Sequence, residues 1–221
     1  MLVSHRYKFI YIKTRKTAST SIEGLLEPLC APAGHVPRHV QAYISSENGI
    51  IAGRAGGQSQ DDPLTAHSSA QTVVKELGLK TFRSYLKIYP VRDPYDKVVS
   101  WFWHAMPKEI RGEMEADFGT ARRLFRTWML MRPSLPVDTQ FYTTSRGFFK
   151  AYPIHYERMA EDLEALAEKL GAPIDLSQLP SWKTASRAHK DIPLQDYYDT
   201  DTREIVRSDF RRDFKKFGYK P

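Results

Sequence analysis

The chain has 221 residues, 41% of them hydrophobic and 12% aromatic, which suits one well-buried domain and excludes a disordered tail. Lys and Arg number 33 against 26 Asp and Glu, a formal charge of +7 that attracts polyanions in general. The basic residues form no compact block, which argues against nucleic-acid binding, and Cys30 as sole cysteine excludes an internal disulfide or a cysteine-built zinc cluster.

Tyr7 to Ile12 reads as an apolar strand, and Ile22, Leu25, Leu26 and Leu29 follow at helical spacing. Residues 31–64 carry Pro32, Gly34, Pro37, Gly49, Gly53, Gly56, Gly57 and Pro63, and read as a loop-rich insertion with a short strand around Val40 to Ile44. A segment of that length inside a compact domain tends to be functional, here for acceptor recognition. A helix is expected from Ser68 to Leu77 with Gly78 as its stop, then a core strand from Tyr85 to Val91. Asp93 is a natural N-cap and Pro94 suits the first helical position, so Tyr95 to His104 is expected to be helical. Further helices are expected between Ala116 and Met131, over Met159 to Leu170 with Gly171 as stop, and along Val206, Phe210, Phe214 and Phe217. Pro153 to Tyr156 reads as a short buried strand and 172–195 as loop. Strands alternating with helices predict a single three-layer α/β domain over 1–221 with a mainly parallel central sheet. No segment has the apolar length of a signal peptide or a membrane span, so the expected location is cytoplasmic.

Two constellations carry chemistry. Lys13-Thr-Arg-Lys16-Thr17-Ala18-Ser19-Thr20-Ser21 lies between a strand and a helix, where backbone N–H groups and the helix dipole favour an anion. It has no glycine, unlike a conventional phosphate-binding loop, and the same spacing also fits a Ser/Thr-capped helix with solvated lysines. The second is Arg92-Asp93-Pro94-Tyr95-Asp96-Lys97-Val98-Val99-Ser100-Trp101, in which Arg92 and Ser100 could converge on one phosphate. The alternative is that Arg92 pairs with a local carboxylate and Ser100 is a small helix residue.

As an ordered pair these segments resemble the cofactor motifs of carbohydrate-type sulfotransferases, Golgi-like and bacterial, that use 3′-phosphoadenosine 5′-phosphosulfate (PAPS). The Thr-Ala-Ser-Thr-Ser form is nearest to the uronyl 2-O-sulfotransferases, although many members have glycine where Ser19 stands. Weaker likeness runs through His67-Ser-Ser-Ala70 and Tyr156-Glu157-Arg158-Met159 to Asp213 through Tyr219, nearly the whole chain. The resemblance implies a P-loop-NTPase-like fold, PAPS as co-substrate and 3′-phosphoadenosine 5′-phosphate (PAP) as product. It implies no metal, and a carbohydrate or other hydroxyl-bearing acceptor. Lys16 would stabilise the leaving group, with Thr17, Ala18, Ser19, Thr20 and Ser21 around the 5′-phosphosulfate and Arg92 and Ser100 on the 3′-phosphate. Lys183 and Arg187, in a late loop with Thr184 and Ser186, would close over the cofactor or else form a basic surface loop.

The acceptor hydroxyl needs a base, and histidine is best tuned for that near neutral pH. His67 matches by position the proposed base of the 2-O-sulfotransferase branch, with His35 and His39 as alternatives. Pro37 between those two argues against a helical metal pair. Trp101, Phe102 and Trp103 are expected to be packing residues, with at most one free to stack on a ligand. Glu157 is expected in an ion pair. A nucleotide kinase or NTPase shares the architecture but needs a glycine loop and a Mg²⁺-binding aspartate; a non-catalytic polyanion-binding module would have little reason to keep Lys16.

Overall fold

A computed structural model describes residues 1–182 and 187–221; Lys183, Thr184 and Ser186 of the late loop lie outside the described residues. In chain order the elements are β1 (Leu2–Ser4), β2 (Phe9–Tyr11), α1 (Ser19–Leu26), β3 (Ile44–Ser46), β4 (Gly49–Ile51), α2 (Ala70–Ser84) and β5 (Leu86–Val91). They continue with α3 (Pro94–Ala105), α4 (Lys108–Ala116), α5 (Phe118–Leu130), α6 (Thr139–Tyr142), β6 (Thr143–Thr144), β7 (Gly147–Phe148), β8 (Tyr152–His155), α7 (Met159–Leu170), α8 (Thr200–Asp209) and α9 (Arg211–Phe217). Met1–Val91 and Asp138–Trp182 form one compact unit; Arg92–Val137 and the described residues of Lys183–Pro221 form another.

The first unit holds a six-stranded sheet in the order β3-β4-β1-β2-β5-β8. β2, β5 and β8 run parallel, with Tyr11 opposite Ile88 and Val91 opposite His155. β1 pairs antiparallel with β2 and β4, and β3 antiparallel with β4. The expected mainly parallel sheet is therefore corrected to a mixed one, with three antiparallel pairings against two parallel. The reason is local: β1 turns back within four residues, and β3 and β4 form a tight hairpin inside the insertion, so none of them needs a helical crossover. β3 also begins where the expected strand at Val40 to Ile44 ends, and Val40 itself is exposed.

Side chains alternate along the parallel strands, of which β2 and β5 are buried on both faces, and Phe9, Tyr11, Ile88 and Ile154 share one face. There they meet Ile22, Leu25 and Leu26 of α1 and Leu163 and Leu166 of α7. α7 has the expected limits and ends on Gly171 at φ 57, the left-handed position glycine adopts at low cost. α2 starts after its N-cap Ser69 and breaks its helical geometry at Gly78, as the sequence predicts, but helix resumes beyond the kink to Ser84. Lys87, buried in β5, donates to the carbonyls of Phe82 and Tyr85 and so satisfies the end of α2.

In the second unit, α3 and α5 pack with α8 and α9 around Val98, Val99, Phe102, Trp103, Phe125, Met129, Val206, Phe210 and Phe214. Phe102 and Trp103 are core, as expected, and Trp101 lies at the margin with its indole N–H on the Ser134 carbonyl. The closing helix is two helices, broken at Phe210.

Candidate functional site

The candidate anion-binding segment begins where β2 ends. Its backbone takes left-handed conformations at Lys16 (φ 59) and Ala18 (φ 56), each costing a non-glycine residue roughly 1–2 kcal/mol. A short polar network holds that geometry. Thr14 Oγ1 donates to the Pro90 carbonyl at 2.6 Å, near the end of β5, and lies 2.8 Å from Thr17 Oγ1. Ser19 Oγ donates to the Thr14 carbonyl at 2.6 Å, and Tyr11 Oη to the Ser19 carbonyl at 2.9 Å. Ser21 Oγ accepts from the Trp182 amide at 3.3 Å. The structure thus uses the Thr17, Ser19 and Ser21 hydroxyls to fold the loop.

What the loop leaves over is backbone. The amide N–H groups of Thr17, Ala18, Ser19 and Thr20 have no acceptor among the described residues, whereas those of Ser21 and Ile22 bond to the Ala18 carbonyl. The Thr20 hydroxyl is likewise without a partner there. Two left-handed residues, Lys16 and Ala18, just ahead of a helix leave a run of backbone donors of the kind that suits an anion, here without glycine. Lys16, half-buried, directly precedes this run.

The first lysine of the segment has a different environment. Lys13 is buried, with Nζ 2.7 Å from Glu23 Oε2 on α1. Burial pushes the Glu23 carboxyl up, but the Met1 ammonium, Lys13 and Arg54 outweigh it and hold the pKa at about 2. Arg54, from the insertion, reaches Glu27 Oε2 at 2.5 Å and lies 5.5 Å from the Trp182 ring centre. His35 is taken up by this network through Glu27 Oε1 at 2.5 Å, and His39 sits edge-on to Trp182. Cys30 is buried, and burial pushes its thiol well above the ordinary range, as suits a packing residue.

His67 belongs to the same unit. Its Nδ1 lies 3.1 Å from the Lys13 carbonyl, which can only accept. Nδ1 therefore carries the proton, and Nε2 is the basic nitrogen, with no partner among the described residues. The residue as a whole is exposed, while the Nδ1 side packs against protein, with Phe141 6.1 Å away. Lost water and the Lys13 charge lower its pKa from 6.5 to about 4, so the ring is neutral near pH 7.

In the second unit, Asp93 caps α3, accepting from the amides of Tyr95 and Asp96. Arg92 pairs with Asp96 Oδ2 at 2.7 Å, the local carboxylate foreseen as an alternative. The other oxygen of Asp96 lies 2.6 Å from Arg187 Nη1. One carboxylate thus gathers two arginines that are 95 positions apart in sequence, and the net charge of the trio stays positive. Arg187 Nε is buried without an acceptor, and Ser100, also buried, has no hydroxyl partner among the described residues. Glu157 is exposed.

Sequence reasoning passed over Thr14, Glu23 and Asp138. Asp138, wholly buried, accepts from the Arg15 amide at 2.9 Å and from Arg15 Nε at 2.8 Å. Only Thr14 had a readable signal, as a hydroxyl within the polar run.

The first unit is thus a mixed α/β fold with a run of amides that have no acceptor among the described residues after a parallel strand, Lys16 directly ahead of that run, and His67 bonded to the Lys13 carbonyl. The chain belongs to the sulfotransferase family, whose model matches residues 1–220. Sulfonate transfer is the reaction of that family. Among curated proteins none matches the chain. Among the described residues no helix is long and apolar enough to cross a membrane.

Proposed function

We propose that this chain transfers a sulfonate from PAPS to an acceptor hydroxyl on a carbohydrate, as one P-loop-like sulfotransferase domain over 1–221. The observation that carries the reading is the run of four unpartnered amides at Thr17–Thr20 with Lys16 directly ahead of them. The donor, when bound, supplies the sulfonate on a phosphate leaving group. The residues fit it: the nest and the Thr20 hydroxyl suit a 5′-phosphosulfate. Arg92, Ser100 and Arg187, with the orphaned Nε, suit a 3′-phosphate. Lys183 joins them by resemblance alone.

His67 Nε2 accepts the proton of the acceptor hydroxyl as its oxygen bonds to sulfur. Lys16 offsets the charge left on the bridging oxygen when the old S–O bond breaks. The side-chain hydroxyls of Thr14, Ser19 and Ser21 keep the amides in place without touching the donor. The uronyl 2-O-like motif and the net positive charge favour an anionic glycan, and the 31–64 insertion is the segment proposed to recognise it.

Calorimetry with PAP, and with ATP and Mg²⁺, tests the donor. Metal-independent binding of PAP with preference over ATP is expected; Mg²⁺-dependent binding of ATP equal to or better than PAP would refute the proposal.

A further inference from the structure

We infer that Asp138 is a positioning residue for the anion-binding loop, an inference that rests on reading the Thr17–Thr20 amides as the donor site. Asp138 stands at the N-cap of α6, where an aspartate ordinarily accepts from the first amides of its own helix. It makes no such bond. Its carboxylate is spent on Arg15 instead: Oδ2 accepts the backbone N–H at 2.9 Å, and Oδ1 accepts the side-chain Nε–H at 2.8 Å.

Arg15 is the residue directly ahead of Lys16, where the backbone turns left-handed. Thr14, one position earlier, is tied to β5 through the Pro90 carbonyl. The two residues leading into the turn are thus anchored to two separate parts of the unit. The bonds among Thr14, Thr17 and Ser19 close the loop on itself, and Thr14 and Asp138 fix it to its surroundings. A carboxylate that holds both the amide and the side chain of one residue restrains its backbone torsions as well as its rotamer. The direction in which the chain enters Lys16, and with it the pose of the four amides beyond, follows from that grip. Asp138 touches no reacting atom in this account; it acts through the Arg15 peptide.

The role separates the two partners of the pair. Asp138→Asn leaves one acceptor oxygen for two donors and sets an amide NH₂ against an N–H. Arg15→Gln keeps the backbone N–H and places an amide nitrogen at the bond position of Nε. PAP affinity, measured by calorimetry on folded protein, is expected to fall about tenfold or more in Asp138→Asn and to stay within about twofold in Arg15→Gln. Equal PAP affinity in wild type and Asp138→Asn overturns the inference. So does an equal loss in both variants, which would place the effect in the ion pair. If circular dichroism shows Asp138→Asn unfolded, the neutral double variant carries the same PAP measurement, and its failure to fold overturns the inference by assigning Asp138 to core stability. A wild-type protein that does not bind PAP refutes the donor reading first, and this inference falls with it.

Discussion

Lys13 Nζ and Glu23 Oε2 lie 2.7 Å apart inside the protein, both side chains almost wholly shielded from solvent. Three positions on, Lys16 is half-buried directly ahead of the proposed anion nest. Two lysines that look alike in sequence therefore answer to different measurements. Lys13→Met leaves Glu23 buried with part of its charge uncompensated, and is expected to cost about 3 kcal/mol in a denaturation experiment. Lys16→Met is expected to leave that stability unchanged and to lower PAPS turnover about 10²–10³-fold. The reverse pattern would exchange their roles.

His67 is the proposed base, and with its pKa lowered from 6.5 to about 4 it is already unprotonated over the neutral range. The acid limb of kcat/KM is expected to fall well below 6.5, toward 4, and to vanish together with the activity in His67→Ala. A limb at 6.5 would point to an unperturbed histidine.

Stability should decline with acid in two stages. Between pH 6.5 and 4 the unfolded chain protonates at His67 while the folded chain does not, so unfolding takes up a proton and stability falls as pH falls. From pH 4.5 down to about 2 Glu23 does the same, because its folded pKa is the lower one. Thermal unfolding of His67→Ala should show a smaller loss in the first stage and Glu23→Gln a smaller loss in the second, where Asp199, also held at about 2, still contributes.

Arg92 and Arg187 share Asp96, and a 3′-phosphate is what their cluster is proposed to read. Replacing either by Ala should weaken PAP by about 1.5–3 kcal/mol. Binding of AMP, which lacks that phosphate, should be unchanged. Equal losses for PAP and AMP would assign the arginines to a role other than the 3′-phosphate.

Gly24 on α1 faces Trp182, and a Cβ there would lie 2.5 Å from Cζ3 of the indole. The ring is held in place by Arg54 and by the bond from the Trp182 amide to Ser21, so it has little room to yield. Gly24→Ala is expected to destabilise the protein by about 1–3 kcal/mol in chemical denaturation.

Where local physics was strong, the chain was readable as text. α7 carries three turns of periodic leucines and a glycine stop, and its limits came out as expected. Asp93 and Pro94 announced α3, and the six-residue β5 was long enough to show its apolar run. β1 and β4 have three residues each, too few for alternation to register, and their absence from the reading, with β3 expected a few residues too early, made the sheet look more parallel than it is. α4, with Met114 as its buried residue, has too narrow an apolar stripe to stand out. Asp138 and Arg15 are 123 positions apart, and no local pattern connects them.

The sequence by itself determined the strand–loop–helix that concentrates amides and hydroxyls and the arginine and serine one strand later, because those features depend on neighbours within a few residues; the reaction class came from their resemblance to a family. Only the tertiary structure decided which groups remain open to a ligand. Burial pairs Lys13 with Glu23, turns the Ser19 hydroxyl onto Thr14 and orients His67 through the Lys13 carbonyl. A polar group is claimed by whatever long-range partner the fold brings within hydrogen-bond reach, and that distance is written in the packing of the sheet and not in the order of the residues.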